Sequence, residues 1–282
     1  MTFINLEETS FTLTVKDRVT QEDILLQGKV FLPKNETIRK SRLPAICLCH
    51  GIPGGRAALD NPVRADGPGK ESLLENYPKL AQWFSQKGFA TFTFNFRGTG
   101  ESGGNFDLGE WTEDLRTVLD YIFQHPGIQK DRVILVGFSG GAAVSIYTAS
   151  RNPQIHAVVS LACPADFNLL INESRLEETL KRLRKIGIIR DAGFPPDPKA
   201  WLNRALSLRP LENIEKISPR PVLIIHGTED EIIPPEQAID LFRAASRPKD
   251  LFLIEGAGHR LKNNAQALHY ILEWIKKIKI FN

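Results

Sequence analysis

The chain has 282 residues, 42% of them hydrophobic and 24% charged, a composition typical of a globular enzyme. Lysine and arginine number 36 against 33 acidic residues, and the resulting net charge of +3 is too mild to imply nucleic acid or an anionic membrane as a partner. The three cysteines form an odd set that argues against a disulfide framework, and no apolar run approaches the roughly 18 residues of a membrane span. The opening residues Met1–Glu8 lack a basic stretch followed by an apolar one, so a cytoplasmic enzyme without a signal peptide is expected.

Two strands are expected first, Phe11–Val15 and Ile24–Leu32, the second ended by Pro33, with a polar connection over Lys34–Arg42. Beyond it, short apolar runs alternate with amphipathic stretches. The runs are Ala45–Cys49, Ala90–Phe96, Val133–Val136, Ala157–Leu161, Val222–Ile225 and Leu251–Ile254. Being apolar throughout, they read as strands covered on both faces of a parallel sheet. Cys47 and Cys49 fall on one face of such a strand, where buried thiols packing as small hydrophobes are expected rather than a metal or redox site. Helices are expected over Tyr77–Lys87, Trp111–Gln124, Gly140–Ser150, Pro235–Ala245 and Ala265–Ile278. The alternation predicts one α/β domain over 1–282 with a doubly wound, mostly parallel sheet. Its ligands should sit beyond the carboxyl ends of the strands.

One stretch, about 167–219, offers no strand. It carries a charged helix over Glu173–Ile186, the breaker Gly193–Pro198 and a short helix near Trp201–Leu206. An insertion of this length in a regular sheet reads as a small helical lid or binding element. Leu176, Leu180 and Leu183 are spaced to pack its helix onto the body, and Lys181, Arg182, Arg184 and Lys185 to form its solvated face.

The chemistry-bearing signal is Gly137-Phe138-Ser139-Gly140-Gly141, a G-x-S-x-G between an expected strand and an expected helix. A serine placed there sits in a sharp turn at a helix N-terminus, which favours developing negative charge. Its hydroxyl needs a base. Of the six histidines, His259 lies in a glycine-rich loop after the last apolar run. His125, His156 and His269 fall elsewhere on the fold, and His50 and His226 end strands before glycines, where structural roles are expected. The acid that would orient the base is best supplied by Asp230, after Val222–Ile225, with Asp166, after the preceding strand, as its rival. Gly98-Thr99-Gly100-Glu101-Ser102-Gly103 satisfies G-x-G-x-x-G, but loop rather than helix follows it, so it is not read as a dinucleotide site.

From about Pro44 onward the chain resembles the α/β-hydrolase superfamily, in particular the group of carboxylesterases, feruloyl-esterase-like enzymes, serine aminopeptidases and prolyl-oligopeptidase relatives. The resemblance rests on His50-Gly51-Ile52-Pro53-Gly54, Asn95-Phe96-Arg97-Gly98-Thr99-Gly100-Glu101-Ser102, the Ser139 motif and the Asp230 turn with Pro234, in that order. Asn95 departs from the aspartate that relatives often carry. The resemblance implies an α/β-hydrolase fold, with the backbone N–H groups of Ile52 and Gly140 forming an oxyanion hole.

The reading is of a serine hydrolase that cleaves carboxylic esters through an acyl-enzyme, using Ser139, Asp230 and His259, without metal or cofactor. The glycine- and proline-rich stretch 54–76 is expected to rim the pocket, and Phe167, Leu170, Phe194 and Trp201 to form apolar walls. The substrate would be a small ester or a short peptide; homodimerisation is left open. A serine peptidase, a C–C-bond hydrolase and a catalytically silent binding relative are the alternatives, and the intact trio of Ser139, Asp230 and His259 counts against the last.

Overall fold

The computed structural model describes residues 5–34, 42–53, 76–278 and 280. Among the described residues, eight strands form one sheet in the order β1-β2-β4-β3-β5-β6-β7-β8. They are β1 (Leu6–Lys16), β2 (Asp23–Pro33), β3 (Leu43–Cys49), β4 (Ala90–Phe94), β5 (Ile128–Phe138), β6 (Ile155–Leu161), β7 (Val222–Gly227) and β8 (Lys249–Ile254). The first two pair antiparallel as a long hairpin, β2 pairs antiparallel with β4, and every pairing from β4 to β8 is parallel. The α/β class and mostly parallel sheet expected from the apolar runs are therefore present. Strand β2 matches its expected limits to within one residue, whereas β1 extends well past its own, because pairing with β2 carries polar residues such as Glu8 and Lys16 that the apolar pattern omits.

Helices cover both faces. They are α1 (Tyr77–Ser85), α2 (Trp111–Gln124), α3 (Gly140–Ala149), α4 (Leu176–Lys185), α5 (Pro198–Leu206), α6 (Pro210–Asn213), α7 (Glu236–Ala244) and α8 (Ala265–Lys277). Caps fix several starts. The side chains of Asn76, Asp197 and Asn264 each accept the N–H three residues on, at 2.9 Å, and Pro78 and Pro198 occupy first-turn positions where a missing N–H costs nothing. Side chains alternate along β3 between two cores. Cys47 and Cys49 face α2, α3 and the insertion, while Ile46 and Leu48 face α1 and α8. The two thiols thus share one buried face, as their spacing predicts. Helix α3 is buried along nearly its whole length, so its apolar residues surround it instead of forming a stripe.

Between β6 and β7 lie α4, α5, α6 and short 3₁₀ turns, with no strand, as the sequence predicts. Leu180 and Leu183 are buried, and Glu177 and Glu178 open α4 while Arg182, Arg184 and Lys185 close it, matching its dipole. The segment is bolted to the 98–107 loop. Asn105 Oδ1 accepts the N–H groups of Arg190 (2.8 Å) and Asp191 (3.0 Å), and Phe106 N–H donates to Ile188 O at 2.8 Å. Arg190 donates to Ser102 O at 2.6 Å, and Arg204 pairs with Asp107 at 2.7 Å. Gly98 makes the approach possible. Its φ is +76°, and a Cβ there would fall 2.2 Å from Phe106 N and 2.6 Å from Ile188 O. No helix opens after Gly103, since α2 begins only at Trp111, so the G-x-G-x-x-G pattern is a turn.

Arg97 anchors that turn from beneath. Fully buried, it binds Asp114 through Nε (2.9 Å) and Nη2 (2.7 Å), and reaches Glu110 at 3.3 Å and Asp17 at 3.4 Å. The guanidinium thereby ties the β1–β2 hairpin, the motif turn and α2 together. Burial pushes the Asp114 and Glu110 carboxyls up, with Arg97 pulling against it. Removing the cation leaves three buried carboxylates facing one another. Arg97→Met is therefore expected to lose about 3–5 kcal/mol of stability, read as a lower urea midpoint at constant m-value. An unchanged midpoint would refute this role.

Candidate active site

Strand β5 ends at Phe138 and α3 begins at Gly140, leaving Ser139 alone at the junction with φ 52° and ψ −121°. A non-glycine residue at positive φ stores strain, and the surroundings must hold it there. Ser139 N–H donates to Leu161 O at 2.8 Å, and Ser139 O accepts from Ala142 N–H at 2.9 Å. Close packing supplies the rest. A Cβ on Gly141 would lie 2.3 Å from His50 O and 2.4 Å from Cys49 O, so α3 and the end of β3 approach to a distance only glycine permits.

The 50–52 turn lies against this elbow. A Cβ on Gly51 would touch Ser139 Cβ at 3.0 Å, and one on Gly140 would touch Ile52 Cγ1 at 3.0 Å. The two residues expected to supply oxyanion donors, Ile52 and Gly140, are therefore neighbours. His50 sets the turn. Its Nε2 accepts from Phe96 N–H at 3.1 Å, which leaves Nδ1 to donate to Gly51 O at 2.7 Å. Tyr77, which sequence reasoning did not single out, places its hydroxyl 3.4 Å from Gly51 N as an acceptor. Its only sequence signal was the position at the start of a helix. Of the stretch 54–76, expected to rim the pocket, residues 54–75 lie outside the described residues.

On the same sheet edge, the β7–α7 and β8–α8 loops bring Asp230 and His259 together. His259 Nδ1 donates to Asp230 Oδ2 at 2.8 Å. Asp230 Oδ1 accepts the N–H groups of Ile232 (2.9 Å) and Ile233 (2.8 Å). Burial alone would raise the Asp230 carboxyl, but hydrogen bonds from His226, His259 and the Ile233 N–H outweigh it and hold the acid well below the usual carboxylate range. The loops are laced by Thr228 N–H to Ile254 O (3.0 Å) and Glu229 N–H to Ala257 O (2.9 Å), and Glu231 accepts the His259 N–H at 3.4 Å. Asp166, the rival acid, is exposed and caps its own turn through Asn168 N–H at 2.9 Å.

Phe167, Phe194 and Trp201, expected as apolar walls, are 2%, 3% and 0% exposed and packed in the core, with Trp201 Nε1 donating to Phe106 O at 3.0 Å. Burial of an apolar ring is favourable wherever a core lies within reach, and these three had one. Leu170, the fourth, is half-buried. His226, expected to be merely structural, has Nε2 3.1 Å from Asp230 Oδ2. The signal was its place four residues before that aspartate.

Sheet order, elbow and loop placement are those of the α/β-hydrolase fold. Residues 76–279 match the model of the prolyl oligopeptidase family, and the chain belongs to that family. Among curated relatives, the polyketide transferase ATR5 of Stachybotrys chlorohalonatus is 25% identical over 260 residues, covering 75% of this chain and 86% of its own. An uncharacterized peptidase of Bacillus subtilis, YtmA, is 27% identical over 200 residues, covering 68% and 74%. Among solved structures, the α/β hydrolase GrgF from Penicillium superposes with a TM-score of 0.66 at 19% identity, covering 97% of this chain and 99% of that one. Est1E from Butyrivibrio proteoclasticus does so at 0.63 and 18%, covering 96% and 97%. The protein is a hydrolase by fold and family. Among the described residues no helix is long and apolar enough to cross a membrane, and no cluster of metal-ligating side chains occurs.

His50 generates a pH prediction. Burial lowers it to about 4, against a hydrogen bond to Gly51 O that raises it. An unfolded histidine titrates near 6.5, so on acidification the unfolded chain takes up this proton first. The stabilisation is complete above about pH 6.5 and is withdrawn as pH falls through 4, by about 3 kcal/mol. The stability gap between wild type and His50→Asn should shrink by about that amount from pH 7 to pH 4 in denaturant titrations. A constant gap would contradict it.

Proposed function

We propose that this protein is a serine hydrolase that cleaves carboxylic esters of small to medium size through an acyl-enzyme on Ser139, with His259 as base and Asp230 as the orienting acid. The observation that carries the reading is the 2.8 Å bond from His259 Nδ1 to Asp230 Oδ2. With Nδ1 committed as a donor to a carboxylate, the lone pair of the imidazole resides on Nε2, the atom a general base needs.

The steps follow from that tautomer. His259 Nε2 takes the Ser139 hydroxyl proton as Oγ attacks the ester carbonyl carbon. The carbonyl oxygen, now an oxyanion, lies between the N–H groups of Ile52 and Gly140. The helix N-terminus at Gly140 adds favourable potential. The imidazolium, stabilised by Asp230, gives its proton to the departing alkoxide, and the carbon–oxygen bond of the ester breaks. A water, deprotonated by His259, then attacks the acyl carbon. Ser139 leaves with the returned proton, and the carboxylic acid is released. Solved structures titled esterases, the Pyrococcus furiosus esterase Pf2001 among them, share the fold and lend support to ester substrates.

Family membership favours a second reading, a peptidase acting on short peptides through the same residues. A panel of short-chain p-nitrophenyl esters beside aminoacyl-p-nitroanilides separates the two by relative kcat/KM. For the shared chemistry, Ser139→Ala is expected to lose kcat on the order of 10⁶-fold on the better substrate and all labelling by a fluorophosphonate. Labelling and turnover that persist undiminished in this variant would overturn the assignment.

A further inference from the structure

His226 is the penultimate residue of β7, and its side chain is completely buried beneath the loop that carries Asp230. Its Nε2 lies 2.9 Å from Ile233 O and 3.1 Å from Asp230 Oδ2. Both partners are acceptors, so Nε2 carries the hydrogen and shares it between them. The other ring nitrogen, Nδ1, is buried with no hydrogen-bond partner among the described residues. An unsatisfied buried acceptor of this kind costs stability that an apolar ring of the same size would not. The histidine thus does something other than fill space.

We infer that His226 is a positioning residue for the proposed Ser139–His259–Asp230 site: its single N–H, shared by Asp230 Oδ2 and Ile233 O, fixes the carboxylate oxygen that orients His259. The inference rests on the functional reading above. Oδ1 is held by two backbone donors, but among the described residues Oδ2 meets only side chains, His259 on one side and His226 on the other. His259 stands on a loop and is partly exposed, with 13% of its side chain accessible, whereas His226 is fully buried near the end of β7, a strand paired on both sides. The strand therefore passes its rigidity through His226 to Oδ2, and through Oδ2 to the imidazole that moves the proton. Supporting groups of this kind set the orientation and basicity of the residues they hold, and losing one typically costs 10–100-fold in activity.

The test compares His226→Phe, which keeps the ring volume and removes the donor, with His226→Gln, whose amide N–H can still reach Oδ2. Both are measured in the wild-type and Asp230→Asn backgrounds, with p-nitrophenyl acetate and a thermal unfolding scan for each variant. His226→Phe is expected to lower kcat 10–100-fold with KM within about twofold, and His226→Gln to recover most of that loss. With Asp230→Asn already in place, His226→Phe should cost less than about twofold more, because the interaction it removes is gone. The inference falls if His226→Phe keeps its kcat, if His226→Gln rescues nothing, or if the loss is equally large in both backgrounds. Should His226→Phe not fold, His226→Asn, too short to reach Oδ2, must show the same loss in kcat at unchanged KM. An Asp230→Asn enzyme with full activity would instead overturn the functional reading, a result distinct from failure of the His226 arm.

Discussion

The elbow at Ser139 is the constraint on which the rest of this structure depends. A serine held at φ 52° must be compensated, and the compensation is geometric. Gly141 lets the first turn of α3 press against the carbonyls of Cys49 and His50, and the Ser139 N–H is caught by Leu161 at the end of β6. Three adjacent parallel strands therefore define the position of one hydroxyl. That arrangement also explains why β3, the Val133–Phe138 half of β5 and most of β6 are apolar: these stretches are buried on both faces, and the rigidity of the sheet is what keeps the strained turn from relaxing.

Polar groups around the elbow are organised in two layers. In the inner one, His50 orders the 50–52 turn and Asp230 orders His259. In the outer one, backbone and side chains fix those two in their turn: Phe96 N–H on His50, and His226 with the Ile232 and Ile233 N–H groups on Asp230. The electrostatic consequences are opposite in sign. Burial pushes His50 down to about 4 and so keeps it a neutral scaffold, while the converging donors hold Asp230 as a carboxylate despite its burial. The insertion belongs to the same scheme. Its contacts with Asn105, Phe106 and Asp107 join it to the turn that Arg97 anchors, so that the insertion and the β1–β2 hairpin share one loop.

The fold was readable from the sequence because parallel strands covered on both faces must be apolar runs, and helices covering them must be amphipathic. Those two periodicities are local. The order of strands, the hairpin's antiparallel attachment and the outward reach of β1 are set by pairing between distant segments, on which local pattern is silent. The candidate site divides along the same line. Ser139 was legible because its strand–turn–helix setting is contiguous, and His259 because it follows the last strand. Asp230 could be separated from Asp166 only by seeing which carboxylate the imidazole meets.

What the sequence determined by itself, then, is the class of the sheet, the Ser139 elbow and the order of the motifs along the chain, since each is encoded within a window of a few residues. Tertiary structure decided which side chains meet. It packed Phe167, Phe194 and Trp201 into the core, because burial of an aromatic ring is favoured wherever a core is within reach. It brought His226 to Asp230, a contact that depends on where β7 ends and how the next loop folds back over it. Hydrophobic pattern is a property of each segment alone, whereas a hydrogen bond between two segments exists only once both are in place.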